Sequence, residues 1–238
     1  MKSLHVFISA VLITSILFSV CSVQQKSTPL LAASQKRITE LPIIIIDPGH
    51  GGFDGGASTR NGVPEKDINL SISIFLNEYL TVMGFKTILT RDKDVSLEND
   101  GLNTIRAKKK SDIYNRMGIM AQQEDAIFLS IHQNHYSEEK YNGLQVFYSK
   151  NFSDKSSALA QRIQENTAEL LQKNNTRQIK ECGSSVYLIY NAQKPACLIE
   201  CGFLSNEAES KLLQTEKYQR KLACCIALSV YEFYLIKE

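Results

Sequence analysis

Short apolar runs alternate along the chain with longer segments in which apolar residues recur every three or four positions. Apolar runs of about four to eight residues bounded by turn residues are typical of strands buried on both faces, whereas the longer recurrence indicates amphipathic helices. This pattern predicts strands at 43–46, 85–89, 126–132, 143–149, 187–190 and 196–201. It predicts helices at 67–83, 112–123 and 153–173, and from residue 216 onwards. The alternation indicates an α/β fold, with a mainly parallel sheet covered by helices on both faces.

Three of the predicted strands end at a residue that can bind a metal or transfer a proton. The run 43–46 leads into Asp47-Pro48-Gly49-His50, the run 126–131 stops at His132, and the run 196–199 stops at Glu200. In an open α/β sheet the ligand crevice lies beyond the carboxyl ends of the strands. Two imidazoles and a carboxylate are therefore expected to converge on one edge of the sheet.

These residue types are suited to a catalytic zinc site, which has three protein ligands and an open position for water. His50 and His132 are candidate ligands, and Glu65, directly before the first predicted helix, is placed to reach the same edge. His135 is the competing histidine, because the fourth, His5, lies in the apolar N-terminal segment. Either candidate histidine could instead be a hydrogen-bonded structural residue, and Glu65 could merely stabilise a helix N-terminus.

Glu200 is the candidate catalytic carboxylate. A carboxylate beside a metal-activated water can take the proton of that water and hand it to the leaving amine. Glu200 follows a predicted strand and precedes Gly202, which is expected to leave room for a substrate. The alternative is a buried ion pair with Arg91 or Arg116.

The glycine-rich segment 49–58 does not match either common nucleotide-binding loop. Gly51 and Gly56 have the spacing of a phosphate-binding loop, but Ala57 stands where that loop needs lysine. Asp54 occupies the third glycine position of the dinucleotide-binding pattern. The segment therefore predicts a loop whose glycines let an imidazole approach the backbone closely, and no nucleotide is expected. The polar loop 91–110 is expected either to border the active cleft or to be disordered.

Charge and cysteine content exclude other classes of protein. With 27 basic and 25 acidic residues the chain lacks the basic excess of a nucleic-acid-binding protein, so no nucleic acid is expected. The basic run Lys108-Lys109-Lys110 is interpreted as a solvated loop or helix start, the alternative being docking to an anionic polymer. Six cysteines without CxxC spacing do not indicate a disulfide scaffold or a cysteine-rich zinc module. Cys197 and Cys201 are expected to face away from Glu200 and to be structural rather than nucleophilic.

The N-terminus indicates export. Residues 1–22 contain a lysine followed by an uncharged apolar stretch, which predicts a signal peptide or an N-terminal membrane anchor. Cys21 could carry a lipid, although Val20 stands where a lipoprotein signal usually has a small residue. Residues 23–41 are predicted to be a polar linker, and residues 42–238 the folded domain.

Five motifs in this order resemble those of the zinc-dependent N-acetylmuramoyl-L-alanine amidases of bacterial cell-wall metabolism. They are Asp47-Pro48-Gly49-His50-Gly51-Gly52 with Asp54-Gly55-Gly56-Ala57, Glu65-Lys66-Asp67-Ile68-Asn69-Leu70, Leu89-Thr90-Arg91, Ser130-Ile131-His132 with Asn134, and Glu200-Cys201-Gly202-Phe203-Leu204-Ser205-Asn206. The resemblance covers essentially all of 42–238 and implies a zinc amidase catalytic domain there. It also implies a three-layer α/β/α domain with a twisted, mostly parallel sheet of about six strands.

The resemblance further implies one Zn²⁺ per chain, held by His50, Glu65 and His132, with Glu200 as the catalytic carboxylate. The implied reaction is hydrolysis of the amide between N-acetylmuramic acid and L-alanine, which removes stem peptides from peptidoglycan. The compact organisation is similar to the germination-specific amidases of the spore cortex, where stem-peptide removal is a step towards muramic δ-lactam. The implied location is the cell wall or the outer face of the membrane, including the forespore intermembrane space. The expected partners besides peptidoglycan are a protein activator or a membrane anchor. His135 stands where many relatives have a small residue and is expected at the rim of the active site.

Two other functions are compatible with the same residues. A zinc exopeptidase could use a similar metal and carboxylate on peptides, and would release single amino acids instead of intact stem peptides. An inactive wall-binding module is the alternative of a different class. It is disfavoured because all four proposed active-site positions are filled.

Overall fold

The computed structural model describes residues 41–235. The predicted leader, 1–22, lies outside the described residues, as does the predicted linker, 23–41, except for its last residue. Residues from Pro42 onwards belong to one compact unit. Within the described range no helix combines the length and the apolar character needed to cross a membrane.

A six-stranded sheet forms the middle layer and carries the site at one edge. The strands are β1 (Ile43–Pro48), β2 (Thr87–Leu89), β3 (Ala126–Asn134), β4 (Gln145–Tyr148), β5 (Lys180–Glu181) and β6 (Ala196–Phe203). Their order across the sheet is β2-β1-β3-β6-β4-β5. The first four in this order are mutually parallel, whereas β4 runs antiparallel to β6 and β5 is parallel to β4. The carboxyl ends of β1, β3 and β6 therefore meet at one edge, as the sequence predicted.

Helices cover both faces of this sheet. They are α1 (Glu65–Val82), α2 (Ile105–Ala121), α3 (Ser153–Leu170), α4 (Tyr187–Tyr190), α5 (Glu207–Leu213) and α6 (Glu216–Leu235), with a 3₁₀ turn at Lys150–Phe152. Helix α6 packs against α1 and α3. On the other side α2 contacts α4, and both contribute to a core with Ile45, Phe128 and Leu198 of the strands. The predicted three-layer α/β/α fold is confirmed.

The main error in the predicted elements concerns 187–190, which is a single helical turn and not a strand. A four-residue apolar run has no periodicity that separates the two, and the tertiary structure buries Leu188 and Ile189 beneath α2. The sixth strand is instead the two-residue β5, which no apolar pattern marks.

The observed helices also differ from the predicted ones, chiefly at α2 and α5. Helix α2 begins at Ile105 rather than 112, because the Thr104 side chain accepts a hydrogen bond from the Ala107 amide and caps it. The predicted long loop 91–110 is therefore shorter, and the basic run Lys108-Lys109-Lys110 lies on a helix. Helix α5, capped by the side chain of Asn206, was not predicted.

Candidate metal centre and active site

Two histidines and a glutamate meet at the carboxyl edge of β1 and β3. One oxygen of the Glu65 carboxylate lies 3.3 Å from His50 Nε2, and the other lies 3.0 Å from His132 Nδ1. One ligand atom from each residue lies within 4.8 Å of the other two. Glu65 is the first residue of α1, because the helix begins two residues earlier than the predicted start at 67. The structure thus brings together the three predicted ligands.

Two glycines allow this close approach. A Cβ atom on Gly49 would stand 2.1 Å from His132 Nε2, and one on Gly56 would stand 2.5 Å from Glu65 Oε2. Gly56 also has a φ of +68°, and His50 itself adopts a positive φ of 61°. A side chain at either glycine would displace the imidazoles or the carboxylate, so the glycine-rich segment lets the candidate ligands approach the backbone closely, as predicted.

Asp54, four residues after His50, orients the His50 ring. Its Oδ2 lies 3.0 Å from His50 Nδ1, and its Oδ1 pairs with Lys109 Nζ at 2.9 Å. Burial disfavours protonation of His50, but hydrogen bonds with Asp54 and Glu65 outweigh it and raise the pKa of His50 to about 9. A carboxylate behind the ring fixes its tautomer and leaves Nε2 directed at Glu65. The sequence pattern did not assign this role to Asp54, although its spacing of four residues from His50 could have indicated it.

The Glu65 carboxylate is held from several sides. Its Oε2 accepts a hydrogen bond from the Ala57 amide at 2.9 Å, and its Oε1 accepts one from the Gln133 amide at 3.0 Å and one from Asn69 Nδ2 at 3.2 Å. Burial alone would raise the pKa of Glu65, but its contacts with His132 and His50 hold it far below the usual range. The carboxylate is therefore ionised and fixed in position. Asn69 and Gln133 were not predicted as site residues.

Glu200 lies beside this cluster on β6, directly opposite His132 in the β3–β6 register. The residue is half-buried, yet its Oε2 is shielded from solvent and has no hydrogen-bond partner among the described residues. Burial raises the pKa of Glu200 to about 7, the effect of nearby His132 being smaller and opposite. A carboxyl group with a pKa near neutrality can both accept and release a proton under physiological conditions.

The ion pair considered for Glu200 is not formed. Arg116 pairs with Asp47 at 2.6 Å, and Arg91 donates hydrogen bonds to the backbone carbonyls of Pro48, Gly49, Lys66 and Lys93. Both arginines therefore brace the glycine-rich segment. A Cβ on Gly202 would stand 2.7 Å from Glu209 Cδ. Gly202 thus makes room for a buried structural carboxylate, so the expectation that it leaves room for a substrate was wrong.

Other predicted residues lie around the cluster. His135 is exposed and lies outside it. Cys197 and Cys201 are fully buried, and burial raises the pKa of each thiol well above its usual value, which makes both poor nucleophiles. The loop that follows β2 contacts the glycine-rich segment, because Asp94 accepts hydrogen bonds from the Gly52 amide and from Lys66.

A cavity of about 280 Å³ opens beside the two histidines. It lies between α2 and α4, so α4, which was predicted to be a strand, forms one of its walls. Phe53 and Tyr187 line it and are partly exposed, and the aliphatic side chains of Ile113, Val186 and Leu198 contribute to its lining. Such a cleft beside a polar cluster is suited to a bound substrate.

The donor set fits a zinc ion. Zinc is held by imidazole nitrogens and carboxylate oxygens at about 2.0–2.2 Å, so two ligand atoms of a tetrahedral site are roughly 3.3 Å apart. The two histidine-to-Glu65 separations of 3.3 and 3.0 Å are close to this value. The Asp54 carboxylate behind His50 completes the usual arrangement of a metal-binding imidazole.

A three-layer α/β domain holds at one sheet edge two imidazoles, an ionised carboxylate and the Glu200 carboxyl, whose shielded Oε2 has no hydrogen-bond partner among the described residues. This is the arrangement of a hydrolytic enzyme with a candidate metal centre. Residues 44–232 match the family model described as N-acetylmuramoyl-L-alanine amidase. The chain belongs to this family of enzymes.

Similar proteins and similar solved structures support the family membership. The chain is 35% identical to the germination-specific N-acetylmuramoyl-L-alanine amidase of Bacillus subtilis over 195 residues, covering 82% of this chain and 81% of that protein. It is similar, at a TM-score of 0.79 and 39% identity, to the CwlD amidase of Clostridioides difficile solved in complex with the GerS lipoprotein, covering 83% of this chain and all of that one. The CwlV amidase catalytic domain of Bacillus (Paenibacillus) polymyxa aligns with a TM-score of 0.70 at 26% identity, covering 83% of this chain and 100% of that chain.

Proposed function

We propose that the chain is a zinc-dependent amidase that binds one Zn²⁺ through His50, Glu65 and His132 and uses Glu200 as its catalytic carboxylate. The observation that carries this proposal is the meeting of the three ligand atoms within 4.8 Å beside a carboxylate oxygen that has no partner among the described residues. A buried carboxylate without a hydrogen bond is costly in a folded protein. Such a cost is expected where the group must be free to act on a substrate.

The proposed reaction is hydrolysis of the amide between the lactyl group of N-acetylmuramic acid and L-alanine of the stem peptide. A bound zinc ion supplies Lewis acidity, which polarises a carbonyl group and lowers the pKa of a water molecule towards about 7. Glu200 takes a proton from the attacking water and delivers it to the nitrogen of the leaving L-alanine. The C–N bond breaks, and the products are a lactyl carboxylate and a free amine.

The remaining residues hold these groups in place. Asp54 keeps the His50 ring oriented, and the backbone amides of Ala57 and Gln133 hold Glu65. The cavity lined by Phe53 and Tyr187 lies next to both histidines, where a stem peptide or a sugar ring would lie alongside the scissile bond. We assign this catalytic role to residues 42–238.

We further propose a role in spore cortex maturation, with stem-peptide removal as a step towards muramic δ-lactam. Support comes from the similarity to the germination-specific amidase of Bacillus subtilis. Export through the leader 1–22 would place the enzyme at the cell wall or the outer membrane face, including the forespore intermembrane space. A protein partner is part of the proposal, because the similar Clostridioides difficile amidase was solved in complex with a lipoprotein.

The experiment that tests the reaction measures zinc content and products together. Purified 42–238 and its His132→Ala and His135→Ala variants are analysed for bound zinc and incubated with peptidoglycan, and the products are identified by mass spectrometry. We expect about one zinc per chain and release of intact stem peptides, both lost in His132→Ala and both kept in His135→Ala. Release of single amino acids would instead show an exopeptidase, and wall binding without turnover would show a binding module.

A further inference from the structure

Asn69 is a buried amide that contacts all three segments carrying the proposed ligands. It lies on α1, four residues after Glu65, and its exposed fraction is 0%. Its Nδ2 donates to the Gly49 carbonyl at 3.2 Å and to Glu65 Oε1 at 3.2 Å. Its Oδ1 accepts a hydrogen bond from Gln133 Nε2 at 3.1 Å. Gly49 directly precedes His50 and Gln133 directly follows His132, so one side chain joins the three segments.

A purely structural explanation does not account well for this residue. Asparagine is a poor helix former, because its amide competes with the backbone for hydrogen bonds. Burying an amide also costs free energy unless its hydrogen bonds are made. An apolar residue at 69 would serve the packing of α1 better, but it could neither donate to two acceptors nor accept from Gln133. The two donors and one acceptor of this amide match the three groups around it.

Gln133 extends the connection through its backbone. The register between β3 and β6 shifts between His132 and Asn134, so the strands are irregular at Gln133. Irregularities of this kind are frequent next to active sites, where they redirect backbone groups. The Gln133 amide donates to Glu65 Oε1 at 3.0 Å while its side chain donates to Asn69. Glu65 Oε1 is thereby held from α1 and from β3 at once.

We propose that Asn69 is a positioning residue that sets the separation of the His50, Glu65 and His132 segments and so determines the affinity and geometry of the metal site. This inference rests on the proposed zinc site. Groups that orient metal ligands typically change metal affinity 10- to 100-fold when they are removed. Because Asn69 acts on three segments together, its loss alters the distances between all three ligands.

The test compares Asn69→Ala with a control on the same helix. Ser73 lies one turn further along α1 and is fully buried. Its hydroxyl has no hydrogen-bond partner among the described residues. Ser73→Ala therefore removes a buried polar atom without touching the ligands. The zinc dissociation constant is measured by chelator competition, the melting temperature is measured without metal, and the visible spectrum is recorded with cobalt in place of zinc.

We expect Asn69→Ala to raise the zinc dissociation constant roughly 10- to 100-fold and to shift the cobalt spectrum, while Ser73→Ala leaves both within twofold of wild type. Gln133→Met is the second variant, should Asn69→Ala fail to fold. It removes the Asn69 partner, keeps the backbone bond to Glu65, and is expected to raise the dissociation constant severalfold.

Two results would overturn the inference. One is unchanged zinc affinity and an unchanged cobalt spectrum in Asn69→Ala, or in Gln133→Met where Asn69→Ala does not fold. The other is an equal loss of affinity in Ser73→Ala, which would show that packing of α1 is responsible. A folded wild-type protein that binds no zinc would refute the proposed zinc site itself and this inference with it.

Discussion

Asp47 and Arg116, 69 residues apart in sequence, form a salt bridge with 2.6 Å between Oδ1 and Nη1 and exposed fractions of only 1% and 3%. Asp47 ends the apolar part of β1, and Arg116 lies on α2. Arg116 also donates hydrogen bonds to the Pro48 and His50 carbonyls. The pair therefore joins the start of the glycine-rich segment to the helix that lines the cavity.

Breaking this pair should destabilise the fold strongly. Arg116→Met leaves Asp47 buried without its countercharge, and such changes cost about 3–5 kcal/mol. Equilibrium unfolding in urea measures the loss. The control is Arg60→Met, because Arg60 and Glu139 form an ion pair with both side chains more than half exposed, for which about 0–1 kcal/mol is expected. Equal losses of stability in Arg116→Met and Arg60→Met would show that the buried pair stabilises the fold no more than an exposed one.

The Asp47 pair should also make stability depend on acid pH. Burial alone would raise the pKa of Asp47, but Arg116 and two hydroxyl hydrogen bonds lower it below its ordinary value of 3.8. The stabilisation is thus complete above about pH 4 and is lost as the pH falls through the lower, folded-state pKa. The free energy of unfolding in urea should fall between pH 6 and pH 3, and it should fall more for the wild-type protein than for Asp47→Asn.

Replacing Glu200 should remove activity and increase stability. The pKa of Glu200 rises from 4.5 to about 7 on folding, so the folded state holds the proton more tightly than the unfolded state. Folding is penalised once both forms are ionised, above pH 7, by up to about 3 kcal/mol. Zinc-free Glu200→Gln should therefore melt at a higher temperature than wild type at pH 8 and at a similar temperature near pH 4, while its amidase turnover is abolished. Unchanged turnover would refute the catalytic role of Glu200, and a lower melting temperature at pH 8 would show a structural one.

Gly49→Ala should disrupt the metal site by displacing His132. The added Cβ would stand 2.1 Å from His132 Nε2, so the imidazole or the loop must move. We expect zinc binding to weaken at least tenfold, a loss of the size seen when ligand positioning is disturbed. Gly118→Ala in α2 is the control, because nothing lies within 4 Å of its added Cβ and a helical alanine is favoured by about 0.5–1 kcal/mol. Titration of both variants with zinc checks the prediction, which fails if Gly49→Ala binds like wild type.

Zinc affinity should increase with pH up to about 9. His50 has a pKa raised to about 9 by Asp54 and Glu65 against the effect of burial, so below that pH zinc must displace a proton from the ring. The apparent dissociation constant should fall about tenfold for each pH unit between roughly 6.5 and 8.5, as measured by competition with a chelator of known pH dependence. Asp54→Asn should show a weaker pH dependence, because the anionic partner is removed. An affinity independent of pH would contradict a protonated His50 in the metal-free protein.

Much of the site could be predicted because local pattern and topology act together. Apolar runs that end at His50, His132 and Glu200 identify parallel strands, and parallel strands place their carboxyl ends at a common edge. The predictions were wrong where the local pattern is ambiguous, as at 187–190, or where a two-residue strand leaves no pattern, as at Lys180–Glu181. Gly202 was misinterpreted because its neighbour Glu209 approaches it only in the folded chain.

The sequence by itself determined the α/β class, the candidate ligands and the candidate catalytic carboxylate, because these depend on residue type and on short-range periodicity. The tertiary structure alone decided how these candidate ligands are held. Asn69, Gln133 and Asp54 act through hydrogen bonds whose partners are set by the packing of α1 and the glycine-rich segment against β1 and β3. It also decided that Glu200 Oε2 has no hydrogen-bond partner among the described residues, while Arg116 and Arg91, the partners considered for it, contact Asp47 and the Gly49 carbonyl instead. Burial and pairing depend on contacts between segments far apart in the chain, and no pattern of neighbouring residues encodes them.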